Sequence, residues 1–328
     1  MPAARRVDSR GKSSLARLAA VLLANSDRVT APALVHGGPL AAAPRLFPEI
    51  PLKQSGVLPA IIISNDQIPF MEGPMPLDAR ALHLEIRKVY SQVADDPKKG
   101  YPFHTGPDYA AERLGYLPEE LAELPGAVTA SFAGVGNPLA MARPRPGDAV
   151  VDIGAGSGMD TFLAARHVGP AGLVLAVDMT PAMLELGRQH VALAGLKQVE
   201  YIEGLAESLP LPDGIADLVI SNGVINLVPD KDRAFAEALR VLKPGGRLQI
   251  ADVVVHRDIP PAAREDIAIW TASIGGALLE GEYLVKIARA GFQDVRVTWR
   301  GLPFEGASGQ RKADKYETEG VNIEARKP

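Results

Sequence analysis

The chain has 328 residues, of which 47% are hydrophobic and 23% charged, a balance typical of a globular protein with one large or two small domains. Its formal net charge of −4 gives no reason to expect a nucleic-acid partner. It contains no cysteine, which excludes disulfides, thiolate metal sites and cysteine nucleophiles.

No apolar run approaches the roughly 20 residues that cross a bilayer, so we expect no membrane partner and predict a cytoplasmic location. Residues 1–76 are predicted to be a poorly ordered or variable extension, with one possible strand at Val57–Ser64. Their basic, acid-poor start is also typical of a transit peptide or a weak signal peptide. We favour a disordered leader, or translation that begins at Met71 or Met75.

The next region, residues 77–147, is predicted to form a helical lid. Its apolar spacing favours three helices, at 77–90, 109–114 and 118–124. From Asp148 onward, strands alternate with helices. The strands are predicted at 149–153, 173–178, 199–203, 216–221, 247–254, 294–300 and 321–326, and the helices at 158–168, 181–194, 230–242, 261–279 and 282–290. Because the strands are nearly continuously apolar, they indicate an α/β fold with a parallel sheet covered on both faces.

A glycine-rich turn between the first strand and its helix is the clearest functional signal. It places Gly154, Gly156 and Gly158 after Asp152, at the carboxyl end of a strand, where open α/β sheets bind ligands. The spacing is Gly-x-Gly-x-Gly rather than the Gly-x-Gly-x-x-Gly of dinucleotide sites. Asp152 can face a cationic amino group, whereas it would repel the pyrophosphate of NAD.

Three further signals follow the next strands. Asp178 ends the second strand, and its carboxylate can accept both hydroxyl groups of a ribose. Ala206 and Glu207 follow the third strand, where an adenine edge would lie, and Asn222 ends the fourth, beside the expected reactive methyl group. Alone, Asp178 is equally explained as a helix N-cap or a surface acid. Together, these signals at successive strand ends indicate S-adenosylmethionine as the cofactor.

These runs resemble the class I S-adenosylmethionine-dependent methyltransferases and, more narrowly, the arsenite methyltransferase family. The similarity extends from about Leu84 to the C terminus and is most specific in Gly169–Leu184, Ser221–Lys231 and Ser273–Leu278. It implies a Rossmann-like fold with a seven-stranded, mostly parallel sheet and an antiparallel last strand. It also implies that residues 148–328 form the catalytic domain, that the lid helps to close the site, and that Met179 flanks the adenosine.

The sequence departs from that family at the substrate. Arsenite methyltransferases hold trivalent arsenic with cysteine thiolates, because a soft metalloid needs soft ligands. The positions matching two of those cysteines hold Gly223 and Ser273, and neither residue can replace a thiolate. The resemblance therefore implies the fold and the cofactor, while free arsenite and a resident metal ion are not predicted.

Residues that could approach the methyl acceptor are marked less clearly. The candidates come from the lid and from segments after the fourth and fifth strands: Tyr101, His104, Phe132, Asn226, His256, Trp270 and Ser273. His256 stands in a polar run typical of a solvated loop, His104 is equally explained as a loop residue, and Trp270 lies among isoleucines typical of a core. As a group they are predicted to line a pocket, and none is assigned a catalytic role.

The leading hypothesis is an enzyme that methylates a small organic molecule. A second enzymatic hypothesis is methylation of a metalloid presented as a thiol conjugate, so that the protein need not supply thiolates. A third, from another class, is a catalytically silent fold kept for cofactor sensing or protein interaction. An NAD-dependent dehydrogenase is a distant fourth, and the oligomeric state is not indicated.

Overall fold

A twisted, mostly parallel β-sheet lies at the centre of the computed structural model, which describes residues 78–328. Its strands are β1 (Ala149–Ile153), β2 (Leu173–Asp178), β3 (Val199–Glu203), β4 (Ala216–Asn222), β5 (Leu242–Val255), β6 (Leu278–Leu279), β7 (Gln293–Gly301) and β8 (Thr318–Arg326). The order across the sheet is β3-β2-β1-β4-β5-β8-β7, and the two-residue β6 pairs with β5. Since β8 runs antiparallel to β5 and β7, the predicted seven-stranded sheet with an antiparallel last strand is confirmed, with β6 as an addition.

The apolar composition of the strands explains where the functional residues meet. Every residue of β1 and β2 is buried, as expected for parallel strands covered on both faces. In the register of the sheet, Ile153 at the end of β1 pairs with Val177 of β2 and Ser221 of β4. The carboxyl ends of these three strands therefore lie side by side, and the loops that follow them share one edge of the sheet.

Helices precede the sheet and alternate with its strands. They are α1 (Ala79–Asp95), α2 (Pro107–Leu114), α3 (Pro118–Ala122), α4 (Gly126–Ala130), α5 (Met159–Val168), α6 (Pro181–Ala194), α7 (Lys231–Val241), α8 (Pro261–Arg264), α9 (Ile267–Thr271), α10 (Glu280–Arg289) and α11 (Gln310–Lys315). Two of them, α4 and α11, were not predicted from the sequence.

The prediction of one continuous helix over 261–279 is wrong. The chain instead forms α8 and α9, followed by a turn and β6. Asp266 starts a new helix because its carboxylate accepts a hydrogen bond from the Ala268 backbone N–H at 2.8 Å. After α9 the backbone of Ser273 has a φ of 62°, a left-handed conformation that a helix cannot contain.

The lid contacts the rest of the protein near its start, through α1, and near its end, through Asn137. Helix α1 buries Leu82, Ile86 and Val93 and packs against α6 and α9. Further along, Asn137 and Asn322 of β8 exchange two hydrogen bonds, each 3.1 Å long, between residues 185 positions apart. The lid therefore contacts neighbouring helices through α1, and it contacts the sheet through the last strand. The division between lid and catalytic domain at residue 148 stays a prediction.

The predictions for residues 1–76, including the strand at Val57–Ser64, lie outside the described residues. Within residues 78–328, no helix combines the length and apolarity that a bilayer crossing requires.

Candidate cofactor site

A cavity lies at the carboxyl ends of β1, β2 and β4. It contains about 1010 Å³ of space that protein atoms do not fill, part of it open to solvent. All nine predicted cofactor residues line it: Asp152, Gly154, Gly156, Gly158, Asp178, Met179, Ala206, Glu207 and Asn222. The structure thus brings these residues together, while their individual contacts with a cofactor stay predictions.

The turn after β1 presents bare backbone to the cavity. Gly154, Gly156 and Gly158 have φ values of 74°, 55° and 115°, in the region that side chains other than glycine's rarely adopt. A Cβ atom on Gly154 would also collide with the side chain of Val224, and one on Gly158 with the hydroxyl group of Tyr201. The turn therefore requires glycine for conformation and for space, and no side chain on these three residues separates a ligand from the backbone.

Asp178 ties the end of β2 to this turn. Its carboxylate accepts hydrogen bonds from the Gly156 backbone N–H at 2.8 Å and from the Thr180 backbone N–H at 2.7 Å. Thr180 is the N-cap residue of α6, so the alternative explanation of Asp178 as a residue that supports the helix start also has a structural basis. Burial raises the pKa of Asp178, and the two backbone N–H groups oppose that rise.

Four buried carboxyl groups line the cavity: those of the three aspartates Asp152, Asp160 and Asp178, and that of Glu207. Burial, with added repulsion from Asp160, raises the pKa of Asp152 to about 8, and burial raises that of Asp160 to about 6. Among residues 78–328, no lysine or arginine lines the cavity to balance these acids. The site therefore suits a cationic ligand and disfavours the pyrophosphate of a dinucleotide.

Asp160, which the sequence analysis missed, links the turn to β4 and to the lid. Its carboxylate accepts hydrogen bonds from the Tyr116 hydroxyl group at 2.6 Å and from the Asn222 side-chain amide at 3.0 Å. The carbonyl oxygen of Asn222's side chain in turn accepts a hydrogen bond from the Val135 backbone N–H at 2.8 Å. In the sequence, Asp160 resembles an ordinary acid in the first turn of a helix, so only its position two residues after Gly158 could have marked it.

The lid helix α1 closes another side of the cavity. His83 and Tyr90 line it, and His83 Nε2 lies 3.2 Å from Glu207 Oε1 in the loop after β3. Burial raises the pKa of Tyr90 to about 12, against the opposing effect of its hydrogen bond with Ser273. The sequence analysis missed His83 and Tyr90 because helical periodicity predicts which face of α1 is buried without showing what that face covers.

Of the seven predicted acceptor residues, Phe132 lines the cavity. Its ring lies edge-on to that of Tyr116, with the ring centroids 5.4 Å apart. A Cβ atom on Gly134 would collide with the Phe132 ring and with the side chain of Asn222, so the lid backbone approaches β4 closely here. Gly223 also lines the cavity. The sequence analysis named it only because it stands where the family has an arsenic-binding cysteine.

The structure places the polar loop candidates outside this lining. Each is bonded elsewhere: the Tyr101 hydroxyl group donates to the Asp96 carbonyl oxygen at 2.9 Å, His104 Nε2 lies 2.9 Å from the Glu305 carbonyl oxygen, and His256 Nε2 lies 2.9 Å from the Glu319 carboxylate. His256 is also exposed, as the solvated-loop explanation expects. These three residues are therefore not brought to the cofactor residues.

The remaining candidates are buried behind the cavity wall. The side-chain amide of Asn226 donates a hydrogen bond to Asp252. Ser273 is outside the cavity lining but forms a hydrogen bond with Tyr90, which lines the cavity. Trp270 packs in a cluster with Leu82, Ile86 and Leu227, and its indole N–H donates to the Arg264 carbonyl oxygen. These surroundings agree with the alternative that Trp270 is a residue of the hydrophobic core.

The chain is similar in sequence to known methyltransferases. A family model described as "Methyltransferase domain" matches residues 144–296. The arsenite methyltransferase of Halobacterium salinarum is 38% identical over 221 residues, 66% of this chain, and that of Aquipseudomonas alcaligenes is 38% identical over 196 residues, 57% of this chain. The chain spans 56% of the length of each of these curated relatives.

A solved structure extends the match. The crystal structure of an arsenic(III) S-adenosylmethionine methyltransferase from Chlamydomonas reinhardtii superposes with a TM-score of 0.55 at 35% sequence identity, covering 67% of this chain and 73% of that one. The chain therefore belongs to the class I S-adenosylmethionine-dependent methyltransferases, in an arsenite methyltransferase-like family.

Proposed function

We propose that this protein transfers a methyl group from S-adenosylmethionine to a small, largely apolar molecule. The observation that carries the proposal is the cavity itself, which is lined by four buried carboxyl groups and a glycine turn and by no lysine or arginine from residues 78–328. S-adenosylmethionine, the cofactor of this family, carries an ammonium and a sulfonium charge and supplies a methyl group bonded to that sulfur. The chain's own residues would bind and orient it: Asp152 its amino group, Asp178 its ribose, and Met179 with Ala206 and Glu207 its adenine.

The acceptor end of the cavity supports an apolar substrate. The cavity lining includes the apolar and aromatic side chains of Ile86, Tyr90, Phe132, Val224 and Leu227. Anionic acceptors are disfavoured because they would meet the acids across the same cavity. The main tasks left to the protein are to hold the nucleophile about 3–3.5 Å from the methyl group and to exclude water.

Free arsenite is not the proposed substrate. The chain contains no cysteine, and the two positions matched to arsenic-binding cysteines hold Gly223 and Ser273. Gly223 lines the cavity, so a residue at that position would face the acceptor, yet it offers no soft ligand. The arsenite methyltransferase relatives nevertheless favour a second candidate, a metalloid already bonded to small thiols, for which the protein need not supply thiolates.

Calorimetric titration of the purified chain with S-adenosylmethionine and S-adenosylhomocysteine tests the cofactor. We expect micromolar binding of both ligands, followed by methyl transfer in a screen of neutral thiols and phenols, with arsenite and glutathione-bound arsenite as further acceptors. Transfer to glutathione-bound arsenite would favour the second candidate. A folded protein that binds neither ligand would contradict the proposal and favour the silent, interaction-protein hypothesis.

A single introduced thiol can report on the acceptor wall, because the chain has no cysteine of its own. At Gly223 a Cβ atom would lie 3.5 Å from the Ala133 carbonyl oxygen, so a cysteine fits, although the φ of 70° costs about 1–2 kcal/mol. We expect S-adenosylhomocysteine at about ten times its Kd to slow iodoacetamide alkylation of Gly223→Cys about tenfold. The matched control is Leu193→Cys, at a residue 87% exposed and outside the cavity lining, where alkylation should not change. Equal protection at both positions would contradict the placement of Gly223.

A cytoplasmic location and the absence of a nucleic-acid partner remain predictions from the sequence.

A further inference from the structure

Asp160 is a buried acid for which the proposed function names no binding partner. Its side chain lines the cavity, and its two hydrogen-bond donors, the Tyr116 hydroxyl group and the Asn222 amide, are both neutral. Burial and the nearby charge of Asp160 raise the pKa of Tyr116 well above its usual value, so the proton of this hydrogen bond stays on the tyrosine. Asp160 is thereby held in place without being neutralised by a positive partner.

The groups around Asp160 do not supply that positive partner. The titratable side chains that interact with these acids or line the same cavity are Tyr116 from the loop after α2, Asp152 from β1, Asp178 from β2, Tyr201 from β3, Glu207 from the loop after β3, and His83 and Tyr90 from α1. His83 lies 3.2 Å from Glu207, so its partner is that acid and not Asp160. His190 of α6 is outside the cavity lining, and its Nδ1 lies 3.3 Å from the Ser157 carbonyl oxygen. Within residues 78–328, the cavity thus offers carboxyl and hydroxyl groups at this point, and a bound cation would be their counter-charge.

The three aspartates of the cavity, Asp152, Asp160 and Asp178, differ in the part of the ligand that they would meet. Asp178 is bonded to the turn and to the start of α6, on the ribose side, and Asp152 is expected to face the amino group. Asp160 is bonded to Asn222, which ends β4 where the reactive methyl group is expected. Of the three, Asp160 is therefore the one tied to the strand end at which the sulfur atom would lie.

We propose that Asp160 is a specificity-determining residue that recognises the positive charge on the reacting sulfur, so that the site prefers S-adenosylmethionine to S-adenosylhomocysteine. The inference rests on the proposed function. Before methyl transfer the sulfur is a cation that Asp160 stabilises, and afterwards it is a neutral thioether that Asp160 no longer attracts. The spent cofactor is thereby bound less tightly than the fresh one.

The preference should depend on pH with a definite sign. Burial raises the pKa of Asp160 to about 6 in the free protein, and a bound cation favours the ionised form. As pH falls through about 6, Asp160 becomes protonated and S-adenosylmethionine loses its advantage. The amino group that faces Asp152 is common to both ligands, so protonation of Asp152 largely cancels in the ratio of their affinities.

Calorimetry on the full chain tests the inference with three ligands: S-adenosylmethionine, S-adenosylhomocysteine and sinefungin, whose amine carries a positive charge but no transferable methyl group. In Asp160→Asn we expect the two cationic ligands to bind about tenfold more weakly, whereas S-adenosylhomocysteine changes less than about threefold. Tyr116→Phe is the matched control. It keeps the charge but removes a hydrogen bond that lowers the pKa of Asp160, so the preference should persist at neutral pH and its midpoint should move to higher pH.

Equal weakening of all three ligands in Asp160→Asn, or an unchanged preference, would overturn the inference and leave the proposed function standing. If Asp160→Asn does not fold, the wild-type protein still decides the question. An affinity ratio that stays flat from about pH 5 to about pH 7 would exclude Asp160 as the residue that recognises the charge. Failure of the wild-type chain to bind any of the three ligands would instead refute the proposed function and, with it, this inference.

Discussion

Replacing Asp252 by alanine is expected to lower the free energy of unfolding by about 3–5 kcal/mol. Asp252 lies in β5 and is fully buried. Its carboxylate accepts hydrogen bonds from the Asn226 backbone N–H at 2.8 Å, the Asn226 side-chain amide at 2.5 Å and the Tyr283 hydroxyl group at 2.6 Å. Removing the carboxylate leaves these donors buried without an acceptor and opens a cavity in the middle of the sheet.

The loss extends to a buried cation. Lys231 donates to the carbonyl oxygens of Asn226 and Val228 at 3.1 and 2.9 Å. Burial lowers the pKa of Lys231 to about 7, and attraction to Asp252 opposes that fall. Without Asp252, this ammonium group loses its stronger negative neighbour, keeps only the weaker attraction of Glu282, and shifts further toward its neutral form.

Urea denaturation of the wild type, Asp252→Ala and Asp252→Asn measures the effect. We expect Asp252→Asn to lose less than the alanine variant, because an amide keeps the shape and one acceptor oxygen, and Tyr283→Phe to lose only about 1 kcal/mol. Because Asp252 is outside the cavity lining, folded variants should keep their cofactor affinity. Equal stability of the alanine and asparagine variants would show that the buried hydrogen bonds contribute little.

The second large effect is expected at Asp178. Asp178→Ala should weaken binding of S-adenosylmethionine and S-adenosylhomocysteine at least about 100-fold, or about 2.7 kcal/mol. The substitution removes the expected acceptor of the ribose hydroxyl groups and releases the backbone N–H of Gly156, which shapes the turn. Both ligands should suffer equally, since they share the ribose.

The experiment must separate binding from folding, because Asp178 also bonds to Thr180 at the start of α6. Asp178→Asn serves as the matched variant, since it keeps one acceptor oxygen and should lose only about tenfold in affinity. Thermal melts without ligand report the structural part, which we expect to be about 1–3 kcal/mol for Asp178→Ala. If calorimetry finds wild-type affinity in a folded Asp178→Ala, the residue serves only to support the start of α6.

The sheet and the glycine turn could be predicted because their information is local. The observed bounds of β1, β2 and β3 equal the predicted ones, since β-branched runs end at turn residues in the sequence itself. Gly154 and Asp178 could be placed because parallel strands bring their carboxyl ends to one edge. The family resemblance added Met179, which the pattern of strands and helices does not mark.

The part of the cavity that the lid forms could not be predicted from the sequence, and the reason is physical. His83 and Tyr90 belong to the cavity only because α1 packs against α6 and α9, and such packing between distant segments leaves no trace in the spacing of α1. Ser273 likewise gave no signal that its backbone would leave the helical region. Polar candidates such as His256 were proposed because their side chains can take part in catalysis. The type of a residue does not show whether its loop lies next to the cavity.

The pair of hydrogen bonds between Asn137 and Asn322 has a consequence for biosynthesis. β8 is inserted between β5 and β7, so the sheet cannot be completed while the ribosome still holds this strand. The earlier strands can pair as the chain emerges, but the lid segment at Asn137 must wait for a partner 185 residues downstream. The cofactor-binding pocket is therefore expected to form late, after translation of β8, when the lid can form its hydrogen bonds with the completed sheet.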